Sequence, residues 1–260
     1  MSPWSKAYFS IVICTGFALL AQNLPAFKAE DPYRFAAYLV LAIIASGMKV
    51  SLPGITGTMS VLFVFLLIGI IDLSLPETLI MGVAAACVQS YWRAKAPRRL
   101  IHVGFNIASI VIAIQAAHLA YMASVLLGIA VPAPWRLVAA TFVFFAANTL
   151  TVTGIIALTE NKPVFHTWRS HYFWSFPYYI IGACVAGLFS YLTRLIGWQT
   201  SILVLPVIYL IYRSYRLYLD RLEESRIHGE ELQAAANRLN GVLESTSDCV
   251  FAISDEGRVT

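Results

Sequence analysis

Eight apolar runs, each close to the length that crosses a lipid bilayer, leave this chain little choice of fold. They cover roughly Ala7–Leu24, Tyr33–Lys49, Thr58–Leu75, Pro76–Trp92, Leu100–Leu127, Trp135–Leu158, Phe173–Ile196 and Thr200–Tyr218. Crossing about 30 Å of hydrocarbon at about 1.5 Å per helical residue takes about 20 residues. Inside lipid every backbone N–H and C=O must be paired within the segment, so each run is expected to be a helix. The fold class that follows is all-α, a polytopic membrane bundle of about eight transmembrane helices over residues 1–212. Composition supports this and excludes an ordinary soluble enzyme: 59% of residues are apolar and 12% charged, against about 45–50% and about 25% in soluble domains.

The third and fourth runs are separated only by Leu73-Ser74-Leu75-Pro76, with Asp72 and Glu77 at the join. Two short helices meeting at the far interface are expected there, with a re-entrant hairpin as the alternative. Orientation follows from the cations. The basic loop Arg93-Ala94-Lys95-Ala96-Pro97-Arg98-Arg99 and the series Arg213, Arg216, Arg221 and Arg226 belong on the cytoplasmic side. Eight spans then place both termini inside, with Lys6, Lys49, Lys162 and Arg169, and leave Lys28, Arg34, Arg136 and Arg194 outside. The first run reads as an uncleaved anchor rather than a signal peptide, because Lys6 alone is a thin basic leader. The expected location is a bacterial cytoplasmic (inner) membrane, multi-pass.

Polar side chains within the runs are few: Gln89, His102, Asn106, Gln115, His118, Asn148, Thr149, Thr151 and Thr153. Each is costly in hydrocarbon without a partner, so they should face the bundle interior. His102 with Asn106, and Asn148 with Thr151, share helix faces. A zipper of interhelical hydrogen bonds is the simpler reading, and a ligand pocket between helices the alternative. His118 has no second His on its face and reads as a packing residue; His166 and His171 lie in a polar loop and share no face either. Of the outer-interface acids, Asp72 and Glu77, capping of the following helix is the first expectation and an external cation or ligand site the second. Cys14, Cys87, Cys184 and Cys249 show no metal-ligand or disulfide spacing, so no metal is expected, and no cofactor is indicated. Clustered Tyr and Trp, such as Tyr91-Trp92 and Trp168 to Trp174, suit an interfacial belt.

The loop from Lys49 to Thr58 carries Pro53, Gly54 and Gly57, with Thr56, Thr58 and Ser60 as candidate N-caps for the third run. The stretch from Gly47 to Gly69, followed by Leu75-Pro76-Glu77-Thr78, resembles the membrane-integral N-terminal regions of bacterial signalling proteins that carry diguanylate cyclase, phosphohydrolase or kinase output domains. A fainter similarity is to the small substrate-binding subunits of vitamin uptake transporters, which would imply a ligand pocket between helices.

Beyond Pro206 the last run does not stop where a membrane would end. Tyr218, Leu222, Ser225, Gly229, Leu232, Ala236, Leu239 and Leu243 are spaced alternately four and three apart. That is a heptad seam, expected to form a parallel two-stranded coiled coil over 213–244 and hence a homodimer. Ser225 and Gly229 weaken its middle, which would bring two helix packings close in energy. Charge divides in the same place: residues 1–212 carry 12 Lys/Arg against 5 Asp/Glu, and 213–260 carry 6 against 9. The final stretch, with Glu244-Ser245-x-x-Asp248, the apolar Val250-Phe251-Ala252-Ile253 and the turn Asp255-Glu256-Gly257, resembles the opening of a PAS domain. Such a fold is longer than residues 245–260, so a fragment or truncated product is expected, with its output domain beyond.

These readings converge on a membrane sensor and transmission module of a PAS-containing histidine kinase or diguanylate cyclase type. A stimulus at the bundle, small-molecule or membrane-borne, would pass through the last span and seam, with Pro206 as a flex point. The competing reading is binding or transport of a vitamin-like small molecule. Catalysis by this chain is not expected: H-E-x-x-H, G-x-S-x-G and G-x-x-x-x-G-K-[ST] are all missing. Partners are the lipid bilayer and a second copy, and no nucleic acid.

Overall fold

The computed structural model describes residues 3–51, 58–91 and 100–245. The basic loop at 93–99, most of the Pro-Gly loop and the PAS-like stretch from 246 lie outside the described residues. Nine α-helices are described: α1 (Pro3–Asn23), α2 (Pro32–Gly47), α3 (Leu62–Asp72), α4 (Leu75–Tyr91), α5 (Leu100–Leu126), α6 (Ala133–Glu160), α7 (Val164–His171), α8 (Phe176–Ile196) and α9 (Ser201–Ser245). Single 3-10 turns at Leu24–Ala26, Phe173–Ser175 and Trp198–Thr200 follow α1 and flank α8. Two three-residue strands, β1 (Lys49–Ser51) and β2 (Thr58–Ser60), pair antiparallel with Val50 opposite Met59. Chain contacts divide the molecule into residues 1–209, a helical bundle, and 210–260.

Each apolar run contains a helix, but among the described residues four segments are both long and apolar enough to cross a membrane: Pro3–Ala26, Leu100–Leu126, Ala133–Glu160 and Phe173–Ile196. Their outward faces are rich in large apolar side chains, among them Ile11, Phe17, Val125, Phe142, Ile181 and Leu188. An exposed apolar surface on this scale is suited to lipid and costly in water.

The third run departs furthest from expectation. Thr58–Ser60 pair with Lys49–Ser51 as strand, so α3 starts at Leu62 and has only 11 residues. Thr58 and Ser60 therefore do not cap it: its N-cap is Val61, with no side-chain bond. At about 1.5 Å per residue α3 rises about 16 Å, half of a hydrocarbon core. Residues 62–70 are all buried, as expected of a helix that is hydrophobic around its whole circumference. It is the centre of the core, packed by α2, α4, α5, α6 and α8.

Close approach to α3 depends on Gly182 of α8. A Cβ there would lie 2.2 Å from the Phe63 ring and 3.1 Å from Val64. Phe63 in turn packs against Tyr178 and Tyr179, with ring centroids 5.2 and 4.5 Å away. The segment from Lys162 to Tyr172, expected as a polar loop, contains the short helix α7, which includes both His166 and His171.

Candidate functional site

The intramembrane polar residues do not meet in one place. They form separate bridges between helices. Asn106 of α5 donates weakly to Ser90 Oγ of α4 at 3.5 Å. Gln115 of α5 accepts from Asn23 of α1 at 3.2 Å. Asn148 of α6 lies beside the buried Tyr179 phenol of α8. Thr151 bonds its own helix at the Ala147 carbonyl, at 2.6 Å, and its carbonyl accepts the Tyr8 hydroxyl of α1 at 3.1 Å. The His102 ring meets the Phe9 ring edge-on at 6.4 Å. His118 is half-buried on α5, and Gln89, also half-buried, belongs to α4. Distributed bridges of this kind join α1, α4, α5 and α6 into one body, each contributing about 0.6–2 kcal/mol.

Sequence reasoning missed several of the partners. Tyr8, Asn23 and Ser90 looked unremarkable, because a hydroxyl or amide near the end of an apolar run carries no local sign of its mate. Trp168, expected in an interfacial belt, also has a structural bond: its Nε1 donates to Thr149 Oγ1 at 2.8 Å, tying α7 to α6. Burial pushes the nearby Tyr172 phenol above its ordinary pKa.

The two acids at the join of α3 and α4 have different roles. Glu77 caps α4: its carboxylate accepts from the Ser74 backbone N–H at 2.8 Å and from Ser74 Oγ at 2.6 Å. Ser74 is three residues before Glu77, the spacing of a capping box, although here the hydroxyl bonds the carboxylate directly. Asp72 does not cap. Its side chain is 5% exposed, and Oδ1 accepts from Ser190 Oγ of α8 at 2.6 Å and lies 3.5 Å from the Arg194 guanidinium. Asp72 Oδ2 is buried without a hydrogen-bond partner. No family of known proteins identifies the chain: no family model, curated protein or solved structure matches it. Among the described residues no cluster of three or more His, Cys, Asp or Glu has metal-binding geometry.

Of the residues assigned to transmission, Pro206, Tyr218, Leu222, Ser225, Gly229, Leu232, Ala236, Leu239 and Leu243 all lie on α9. Tyr218, Ser225, Gly229, Leu232 and Ala236 are exposed in the single chain.

Proposed function

We propose that the chain is a membrane-embedded sensor and transmission module of a bacterial signalling protein. In this reading eight helical segments are inserted in the inner membrane, with both termini cytoplasmic. The observation that carries it is α9, a helix of 45 residues from Ser201 to Ser245. That is about twice what a crossing requires, and its second half has the four-three apolar spacing of a dimer seam. Exposed Leu232 and Tyr218 on a highly charged helix are apolar surface that a second copy would cover. A stimulus that favours one packing of the bundle would shift the population of seam packings, and so the state of a PAS-linked output domain following the seam. Pro206 lies six residues into α9 and lacks the N–H that would bond the Ile202 carbonyl, which makes the helix easiest to bend there.

The test is cysteine crosslinking in native membranes, with single cysteines at positions 222, 229 and 236. Dimer crosslinks at these seam positions, and weak ones at 224 and 231, are expected. An equal yield at all five positions, or none, would remove the coiled coil and the transmission role with it. Radiolabelled uptake of a vitamin-like solute, lost on Asn106→Leu or Asn148→Leu, would instead favour the transport reading.

A further inference from the structure

Going beyond the transmission role, and independent of it, the contacts around Asp72 are those of an incomplete binding site. Asp72 is the last residue of α3, at the negative end of its helix dipole, where a carboxylate is disfavoured. Its side chain is nevertheless only 5% exposed. A buried carboxylate needs donors for both oxygens or it carries a large desolvation cost. Oδ1 has Ser190; Oδ2 has no partner. One turn along α8, Thr193 Oγ1 is also buried without a partner. Asp72 Oδ2 is thus an acceptor without a donor, and the Thr193 hydroxyl has neither a donor nor an acceptor opposite it.

Beside them is a donor with little to bind. Arg194 is 65% exposed and makes a single long contact to Asp72 at 3.5 Å, leaving most of its five N–H groups free of protein acceptors. On α2, whose Tyr38 ring packs 5.9 Å from Phe189, the Nε of Arg34 is also buried and unpartnered. A cation alone would satisfy Asp72 but be repelled by Arg194. An anion alone would suit Arg194 but not the buried carboxylate. A molecule with an ammonium at one end and an oxyanion at the other satisfies both.

We infer that Asp72, Thr193 and Arg194 bind a zwitterion with a primary ammonium and an anionic group. Its N–H donors would meet Asp72 Oδ2 and Thr193 Oγ1, and its phosphate or carboxylate would meet the Arg194 fork. A phosphatidylethanolamine headgroup has this chemistry, and so does a free solute such as phosphoethanolamine. Arg194 lies in the last turn of α8, whose segment is long enough to cross a membrane, so the site is at headgroup depth.

The experiment uses the full chain in nanodiscs of phosphatidylcholine and phosphatidylglycerol, neither of which offers a primary ammonium. In one arm soluble phosphoethanolamine is titrated, with phosphocholine as the control that lacks N–H donors. In the other, phosphatidylethanolamine replaces phosphatidylcholine. Thermal midpoint and bound lipid by native mass spectrometry are read in both. A response to the ethanolamine compound in either arm, absent for its choline counterpart, supports the site, and the responding arm identifies the source. Asp72→Asn and Arg194→Gln should each weaken binding about tenfold or more, as for loss of one charge-assisted contact. If Asp72→Asn does not fold, Arg194→Gln and Thr193→Val carry the test, since Thr193 Oγ1 has no partner and Arg194 reaches α3 only through its long, exposed contact to Asp72. Equal responses to choline and ethanolamine, no response in both arms, or wild-type binding in the variants would each overturn the proposal.

Discussion

At the scale of single residues, the bundle is held by what is absent at position 182 as much as by what is present. Phe63 is buried and fixed by Tyr178 and Tyr179, so it cannot swing away from a new methyl group 2.2 Å from its ring. Gly182→Ala should therefore lower the thermal midpoint in detergent, at a cost of about 1–3 kcal/mol for overpacking. Gly104→Ala is the control, because the nearest atom to its Cβ would be Phe17 Cε2 at 3.9 Å. Equal midpoints for the two variants would show that α3 and α8 do not pack this closely. The same scale explains why Asp72 was hard to read. From the sequence it stood beside Pro76 and Glu77 and suggested a cap. Its partners are Ser190 and Arg194, 118 and 122 residues away. Ser190 and Arg194 are four apart and share a helix face, a signal that was available, but nothing local connects that face to Asp72.

At the scale of elements, most helices were legible because hydrocarbon permits few alternatives: the run expected at Leu100–Leu127 is α5 at Leu100–Leu126, and that at Phe173–Ile196 is its 3-10 turn plus α8. What hydropathy could not separate was the β1–β2 pair from the start of α3, since Met59 is as apolar in a strand as in a helix. Nor could it find α7 in a segment that is polar by composition. Two elements make testable commitments. The start of α4 depends on the Ser74–Glu77 pair, so Glu77→Ala should destabilise the bundle by about 1–2 kcal/mol, and Glu77→Gln by less because an amide oxygen can still accept. Identical thermal midpoints for both variants and the parent would rule out the cap. Helix α7 is tied down by Trp168, so Trp168→Phe, which keeps the ring contacts with Phe145 and Phe173 but loses the bond to Thr149, should speed amide exchange across Val164–His171 and leave α6 unchanged. Unchanged exchange in α7 would mean that ring packing alone holds it.

At the scale of the whole bundle, the long helices fix which loops share a side. Helices α5 and α6 are 27 and 28 residues long and joined by a short turn through Ala130, so Leu100 and Glu160 lie at one end of the pair and Ala130 at the other. In the sequence Arg93, Lys95, Arg98 and Arg99 precede α5 and Lys162 and Arg169 follow α6, whereas Arg136 is in the first turn of α6 after Ala130 and Arg194 in the last turn of α8. Arg136 is drawn back onto the protein, 4.2 Å above the Tyr121 ring, with its Nε bonded to the Tyr121 carbonyl. The strong imbalance predicts that the end with Leu100 and Glu160 is cytoplasmic. The contact between Asp72 and Arg194 adds the level of the α3–α4 join, because Arg194 is in the last turn of a helix segment long enough to cross. The join should therefore reach the far interface, as two short helices meeting there would, whereas a re-entrant hairpin would stop at mid-depth. Alkaline phosphatase fused after Ala130 is expected to be active and after Lys95 inactive. A single cysteine at position 75, in a chain cleared of its native cysteines, should react with a membrane-impermeant maleimide added outside. Activity after Lys95 would invert the orientation, and a cysteine at 75 that stays unreactive while one at 194 is labelled would place the join inside the bilayer.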